Sequence, residues 1–456
     1  MSQKQRGRSL YGSSLPTDEQ REAFTSGEVP VAVYGLGKMG LPLAAVYADV
    51  SGNVVGVDVD PDVVERLSAG GCHVDGEPGL PELVADLVDR GAFRATTDAA
   101  SAAADATVHV VIVPTLLTDD GEPDLSAVVD VIENVGDELS PGDTVILEST
   151  VPPRTSTDLV DPLLEWESGL SPDQYGLAFC PERTKSGQAL ADVRGTHPKV
   201  VGGADDESTR VAELVYGELT GNEVVTVADT TTAEAAKLFE GLYRDVNIAL
   251  ANELATFADD LGIDVTAAIE TANTQPFCDI HEPGPGVGGH CIPYYPYFLM
   301  GRFRTEAPLL RTARAVNDGM PEFVVRTLAS ELSAAGRPLR GATVLLLGLT
   351  YRPGVEETRA TPARPIAARL AELGAEVLAV DPLLDSADGF DASMVDLAEV
   401  YDRDPDAAVL VTPHAAFDDL DWSAFPRPLV VLDAWRTLDL AETDHRVTAV
   451  GVGGSP

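Results

Sequence analysis

Short, wholly apolar runs separated by longer amphipathic stretches fill the first half of the chain. Val29 to Tyr34, Val54 to Asp58, Ala106 to Val113, Val145 to Glu148, Leu177 to Cys180 and Glu223 to Val227 are predicted strands. Runs without polar alternation mark strands covered on both faces, as in a parallel sheet with helices on either side. The period changes near Thr231. From Thr232 to Leu261 apolar residues recur at helical spacing without proline, and only Gly241 interrupts; that predicts one long helix, a spine between domains. More helix follows to about Leu332, broken by the glycine- and proline-rich stretch Pro283 to Pro296. A second alternation begins at Ala342 to Gly348 and continues with strands over Glu376 to Val380, Ala407 to Val411 and Leu429 to Leu432. The predicted fold is α/β: two Rossmann-like, doubly wound parallel-sheet domains joined by a long central helix and a small helical domain. The expected limits are a polar tail over 1–28, a first α/β domain over 29–228, a helical domain over 229–333 and a second α/β domain over 334–456.

Charge narrows the partners. The formal net charge is -43, and only five lysines occur among 456 residues, at Lys4, Lys38, Lys185, Lys199 and Lys237. Such a surface repels nucleic-acid phosphates and anionic lipid, so neither nucleic acid nor membrane is an expected partner. An acidic, lysine-poor surface over an ordinary core suits concentrated salt, where screening removes self-repulsion, and points to a haloarchaeal source. An acidic mesophilic protein is the alternative. Cys72, Cys180, Cys278 and Cys291 show no CxxC or other metal-ligand spacing, so no metal is expected and a reducing cytoplasm is the default. No run reaches the roughly 18 apolar residues of a membrane span, and Met1 to Leu10 lack the apolar segment of a signal peptide.

Two glycine-rich segments carry the candidate chemistry. Gly35-Leu36-Gly37-Lys38-Met39-Gly40 follows the first predicted strand, opens an alanine-rich helix, and has Asp58 closing the next strand. Glycines there let backbone approach a pyrophosphate whose charge rests on the helix N-terminus, and an acid at Asp58 accepts from ribose hydroxyls while repelling a 2′-phosphate. The context favours NAD over a ligand-free glycine turn. The second segment, Pro283-Gly284-Pro285-Gly286-Val287-Gly288-Gly289-His290-Cys291, is too rich in glycine to be a packing element. Cys291 at its end is either a thiolate nucleophile, with His290 and a lysine to lower its pKa, or a small buried hydrophobe; spacing alone leaves both open.

The run from Pro283 to Pro293 resembles the active-site loop of the UDP-sugar 6-dehydrogenases, closest to the UDP-N-acetyl-D-mannosamine dehydrogenase branch. Val113-Pro114-Thr115, Glu148-Ser149-Thr150-Val151-Pro152, Cys180-Pro181-Glu182-Arg183 and Ala233 to Leu238 carry the same resemblance in order. So do Arg244 to Ala249, Leu310 to Arg314, Gly348 to Pro353 and Thr358 to Ala363. The resemblance implies a two-step, four-electron oxidation of a UDP-sugar at C6 to the uronic acid, through a thiohemiacetal and thioester on Cys291. It makes Lys237 the oxyanion donor, Glu182 the carboxylate that activates the hydrolytic water, and Thr150 a contact of that water and the nicotinamide. Pro114, Thr115 and a neighbouring subunit's counterpart of Arg359 would complete the cofactor site, which implies a homodimer or larger homo-oligomer. Glu182, Arg183, Thr184, Lys185 and Ser186, with Lys237, Arg244, Asn247, Gly286, Gly289, Tyr351 and Arg352, would surround the UDP-sugar. Arg311 and Arg314 are either part of that machinery or ordinary helix-surface charges.

Three positions depart from the family's pattern. Gly241 stands where an asparagine shares the oxyanion, Tyr295 where an aspartate follows the cysteine, and Phe277 where an arginine reaches the partner's substrate. Either other groups fill the vacant polar places, or rate and substrate have shifted. UDP-glucose, UDP-N-acetylglucosamine, a slow or inactive NAD and nucleotide-sugar binder, and a single-oxidation hydroxy-acid dehydrogenase are the rival expectations.

Overall fold

The computed structural model describes residues 7–118, 120–185 and 187–453, which divide into two compact units. The first is Met1–Phe239 with Tyr297–Arg304, the second Glu240–Pro296 with Thr305–Pro456.

In the first unit the strands are β1 (Val31–Tyr34), β2 (Val54–Val57), β3 (Phe93–Thr96) and β4 (Val108–Val111). After them come β5 (Leu116–Leu117), β6 (Pro123–Asp124), β7 (Thr144–Leu147), β8 (Gly176–Phe179), β9 (Lys199–Gly203) and β10 (Val224–Thr226). Eight of these form one sheet in the order β10-β9-β8-β7-β4-β1-β2-β3, while β5 and β6 make a separate hairpin. From β3 to β8 every pairing is parallel, in the strand order of dinucleotide-binding sheets. β9 then pairs antiparallel to β8, so that edge departs from an all-parallel sheet. The pattern does not predict β3, the short β5 and β6, or β9. An edge strand needs only one covered face, and the Phe-Arg-Ala-Thr of β3 buries only Phe93, whereas β9 ends in two glycines.

Residues 7–28 are more than the expected polar tail. Thr17–Thr25 is a helix, and Leu10, Tyr11, Ala23 and Phe24 are buried in the core of the first unit. Sparse apolar residues on a polar segment give no period to read, yet four of them suffice to pin it. The long helix also differs from expectation. It runs over Thr230–Ala255, turns at Thr256 and Phe257, and resumes as Ala258–Leu261. At the turn the amides of Thr256 and Phe257 bond three residues back, to Glu253 and Leu254, tightening the backbone out of the α-helical ladder.

In the second unit β11 (Thr343–Leu347), β12 (Glu376–Val380), β13 (Ser393–Met394), β14 (Ala407–Leu410), β15 (Val430–Asp433) and β16 (Arg446–Ala449) form a sheet ordered β13-β12-β11-β14-β15-β16. All its pairings are parallel, repeating the strand order of the first sheet. The Pro308–Ala334 helix is tied to residues of the long helix by a buried polar network. Arg314 meets Asp245 at 2.6 Å, and Asn317 donates to the Asp245 carboxylate at 2.8 Å and accepts from Asn252 at 2.9 Å. Arg314 is therefore no surface charge, whereas Arg311 is exposed. Asn252 in turn accepts the Gly284 amide at 2.9 Å, anchoring the start of the glycine-rich loop.

Candidate active site

β1 runs into Gly35, whose φ of +95° an L side chain rarely adopts, and a Cβ there would sit 2.5 Å from the Ile112 carbonyl oxygen. A Cβ on Gly40 would overlap the Gly35 carbonyl oxygen; these two glycines close the turn. Gly37 differs: among the described residues nothing lies within 4 Å of a Cβ built there, so the turn leaves room above it. The helix Gly40–Ser51 begins with no acidic side chain in its first turn, which leaves its N-terminus suited to an anion. Asp58 is half-buried at the end of β2. Its carboxylate accepts the Leu36 amide at 2.8 Å and the Asp60 amide at 3.0 Å, which fixes it beside the turn. Lys38 is exposed and Met39 half-buried. Val59, 95% exposed next to Asp58, offers an apolar face that its place beside a buried strand does not reveal. These residues fit a dinucleotide: a tight backbone, open space over one glycine, a helix start without an acidic side chain and an acid at the ribose end.

The loops after β4 and β7 meet beside that turn. Thr115 donates to the Thr150 carbonyl at 2.6 Å, and Ser149 to the Val113 carbonyl at 2.8 Å, with Pro114 exposed between them.

After β8 the chain enters Pro181 to Lys185. Lys237, 9% exposed, donates to the Glu182 carbonyl and stands 3.6 Å from its carboxylate, itself 16% exposed. Burial alone would raise the Glu182 carboxyl, but Lys237, the Thr184 hydrogen bonds and Lys199 outweigh it and hold it below the usual range. Thr184 also bonds the Met39 sulfur at 3.0 Å, joining this loop to the glycine turn. Arg183 reaches the Pro198 carbonyl at 3.0 Å. Lys185 is exposed while its amide donates to Asp192 at 2.9 Å. Ser186 lies outside the described residues. Beneath the loop is a group that the sequence pattern does not disclose. Lys199 bonds buried Glu148 at 2.8 Å and the Pro181 carbonyl at 3.2 Å, and lies 4.4 Å over the Tyr216 ring. Burial pushes the Glu148 carboxyl up, and Lys199 and Tyr216 only partly offset it. The one available signal is rarity: a chain with five lysines sets two of them, one buried and one half-buried, around one loop.

The second unit holds the cysteine loop, and its glycines are explained by what presses on them. A Cβ on Gly284 would come within 2.7 Å of the Trp435 ring. On Gly288 it would approach Tyr351 Cβ to 2.6 Å, and on Gly289 Tyr351 Cε2 to 2.9 Å. Gly286 adopts φ +140°, and the Gly289 amide donates to the Arg359 carbonyl at 2.9 Å. Cys291 is half-buried, and no cysteine of this chain is in a disulfide. Hydrogen bonding to Cys291 raises the His290 imidazole above its ordinary pKa and outweighs burial. Burial pushes the Tyr351 phenol up, and a charge on Cys291 adds to that. An open pocket of about 550 Å³ is lined by Arg244, Gly286, Gly288, Tyr351, Arg352 and Trp435 among others, a volume suited to a small ligand. Arg244, Arg352 and Arg359 are exposed. Asn247 is occupied elsewhere. It donates to the Asp279 carbonyl at 2.6 Å and accepts the His281 amide at 2.8 Å, bracing the segment that enters the loop. Phe277 is 93% exposed.

A dinucleotide turn with the Glu182 carboxylate and buried Lys237 nearby, and in the second unit a glycine-rich cysteine loop beside a ligand-sized pocket, fit a nicotinamide-dependent oxidoreductase. Residues 29–220 match the NAD binding domain of the UDP-glucose/GDP-mannose dehydrogenase family, 231–319 its central domain and 345–440 its UDP binding domain. The chain belongs to that family: it is an NAD-dependent UDP-sugar dehydrogenase. The UDP-N-acetyl-D-mannosamine dehydrogenase of Pyrococcus horikoshii is 34% identical over 400 residues, covering 88% of this chain and 93% of the relative. A solved structure of the UDP-D-ManNAc dehydrogenase from that organism superposes with a TM-score of 0.84 at 31% identity, covering 93% of this chain and 100% of the other. An NDP-N-acetyl-D-galactosaminuronic acid dehydrogenase from Methanosarcina mazei superposes at 0.82 with 29% identity, over 97% and 99% of the two chains. Among the described residues no helix is long and apolar enough to cross a membrane.

Proposed function

We propose that the chain oxidises UDP-N-acetyl-D-mannosamine at C6 to the uronic acid, with Cys291 as covalent nucleophile. The observation that carries this reading is Cys291 hydrogen-bonded to His290 at the end of a loop whose glycines are enforced by Tyr351 and Trp435. An imidazole whose proton is held by a neighbouring sulfur favours the thiolate, the form that attacks carbonyl carbon. NAD supplies the acceptor for each of the two hydrides that leave C6. The first oxidation takes the C6 alcohol to the aldehyde, its hydroxyl proton passing to solvent. The Cys291 thiolate adds to that carbon, forming a C–S bond, and the Lys237 ammonium donates to the oxygen that gains charge. After the second oxidation C6 is a thioester. Glu182, held ionised by Lys237, takes a proton from water, which adds to C6; the C–S bond breaks and the carboxylate leaves. Thr150, tied to Thr115, is assigned to the water and nicotinamide end, and Arg183, Thr184, Lys185, Arg244, Tyr351 and Arg352 to the UDP-sugar.

The sugar is chosen on the Cys-Pro-Glu-Arg and Gly-Gly-His-Cys forms and on the named relatives; the Methanosarcina relative keeps other N-acetylated sugars as alternatives, and the family's own description keeps UDP-glucose. The reading includes a cytoplasmic homodimer. Tyr243, Leu250 and Phe257, seven residues apart on and just beyond one helix, are exposed apolar side chains, and Phe277 is nearly bare. It also includes a need for salt: with a net charge of -43, activity and melting temperature are expected to rise together as KCl is raised.

Cys291→Ser tests the mechanism. Acid formation from a panel of UDP-sugars should fall by at least about 10³-fold, the scale on which removal of a covalent nucleophile acts, with UDP-N-acetyl-D-mannosamine the best wild-type substrate. Undiminished acid formation by the serine variant would remove Cys291 from the reaction.

A further inference from the structure

We propose that Gly241 and Tyr295 form a size-matched lock that sets the position of Cys291, making Tyr295 a positioning residue of the proposed nucleophile. The inference rests on the cysteine role proposed above. A Cβ built on Gly241 would land in the Tyr295 ring, 2.9 Å from Cε2, 3.2 Å from Cγ and nearer still to Cδ2. The helix can admit this ring only because residue 241 has no side chain. Tyr295 is buried, and its backbone amide donates to the Cys291 carbonyl at 3.0 Å, as does that of Tyr294. The ring seated on Gly241 thus holds the first turn of the helix that leaves Cys291, and with it the backbone from which the thiol projects. The two positions that look in the sequence like separate losses of polar groups are one paired exchange: a small residue on the long helix and a large one four residues after the cysteine.

Glycine inside a helix is otherwise a cost, roughly 1 kcal/mol against alanine, so the lock reverses the sign expected of Gly241→Ala. A glycine with no partner would make that variant melt higher with unchanged kinetics. The lock predicts a lower melting temperature, kcat reduced by about tenfold or more, KM for NAD unchanged, and slower alkylation of Cys291 by iodoacetamide across its pH profile. Alkylation is read by peptide mass, so the other cysteines do not interfere. In Gly241→Ala/Tyr295→Leu the smaller side chain restores room, and the double variant should recover much of the alkylation rate lost in the alanine variant. Tyr295→Leu alone, which leaves the helix intact, should change the Cys291 alkylation rate and kcat but not KM for NAD. Additive effects in this cycle, or a wild-type alkylation profile in Gly241→Ala, would overturn the lock. The alkylation readout needs no sugar. Coupling without turnover of any UDP-sugar would sink the proposed reaction and leave the lock standing.

Discussion

At the end of β1, Gly35 takes φ +95° and Leu36 donates its amide to Asp58 at 2.8 Å; at the end of β11, Gly348 takes φ +89° and Leu349 donates to Asp381 at 2.7 Å. The correspondence extends further. Each acid also accepts the amide two residues after itself, from Asp60 and from Leu383, and each glycine abuts the neighbouring strand's exit, at Ile112 and at Thr412. The acids then diverge. Asp58 is half-buried and held by those two backbone amides, and its turn passes directly into a helix with no acidic side chain in its first turn. Asp381 is buried, accepts a further amide from Thr350 at 3.0 Å, and meets His414 at 3.3 Å, while His414 bonds the Thr350 hydroxyl at 2.8 Å. No helix follows at once; the chain instead presents Tyr351 and Arg352 to the pocket. One turn in two copies serves the dinucleotide site in the first sheet and is a clamp beside pocket-lining side chains in the second. What distinguishes them is the number of protein partners the acid already has.

Removing the two acids should separate these uses most widely. Asp381→Ala leaves the buried amides of Leu349 and Thr350 without their acceptor and takes the carboxylate from beside His414, and should destabilise the second unit by about 3 kcal/mol or more. Asp58→Ala should cost little stability and raise KM for NAD by roughly tenfold or more, the loss of one or two ribose hydrogen bonds. Urea denaturation and initial-rate kinetics on both variants read the difference; equal destabilisation would erase the distinction. The glycines sharpen it next. Gly37→Ala meets open space, so it should fold like the parent and lose NAD affinity, whereas Gly35→Ala, at positive φ and against the Ile112 carbonyl, should lose stability as well. The smallest effect is acid-dependent. Burial works to raise the Asp381 carboxyl, but His414 and the three backbone amides draw it down to about 2. A carboxylate depressed in the folded state adds stability above its unfolded pKa of about 3.9 and loses it as pH falls through the folded value, here about 2 kcal/mol between pH 4 and 2. Asp381→Asn should remove that slope from the urea midpoint against pH, and Asp58→Asn should leave it in place.

Much of this is legible in the sequence, and the particular failures have physical causes. β1, the glycine turn and Asp58 can be read together because they lie within one strand–helix–strand unit. Gly348-Leu349-Thr350 is equally visible, but its acid is not, since nothing local marks Asp381 as the partner of a turn that opens no helix. Cys291 stands out by the loop around it, while Lys199 escapes because its partners Glu148 and Tyr216 lie far off in the chain. Arg314 is ambiguous for the same reason, its partner Asp245 being on another helix. Gly241 and Tyr295 both stand out, each as a loss; that they touch is a property of packing, which no one-dimensional pattern records. Likewise Leu10 and Phe24 anchor a segment whose polar composition hides them.

The number of NADH formed per UDP-sugar consumed, counted to completion with limiting UDP-N-acetyl-D-mannosamine in high salt, addresses the proposed reaction most directly. A four-electron oxidation through Cys291 requires two NADH for each uronic acid, with no free aldehyde at the end. One NADH per sugar, with an aldehyde as the final product, would contradict it and reduce the chain to a single-step dehydrogenase.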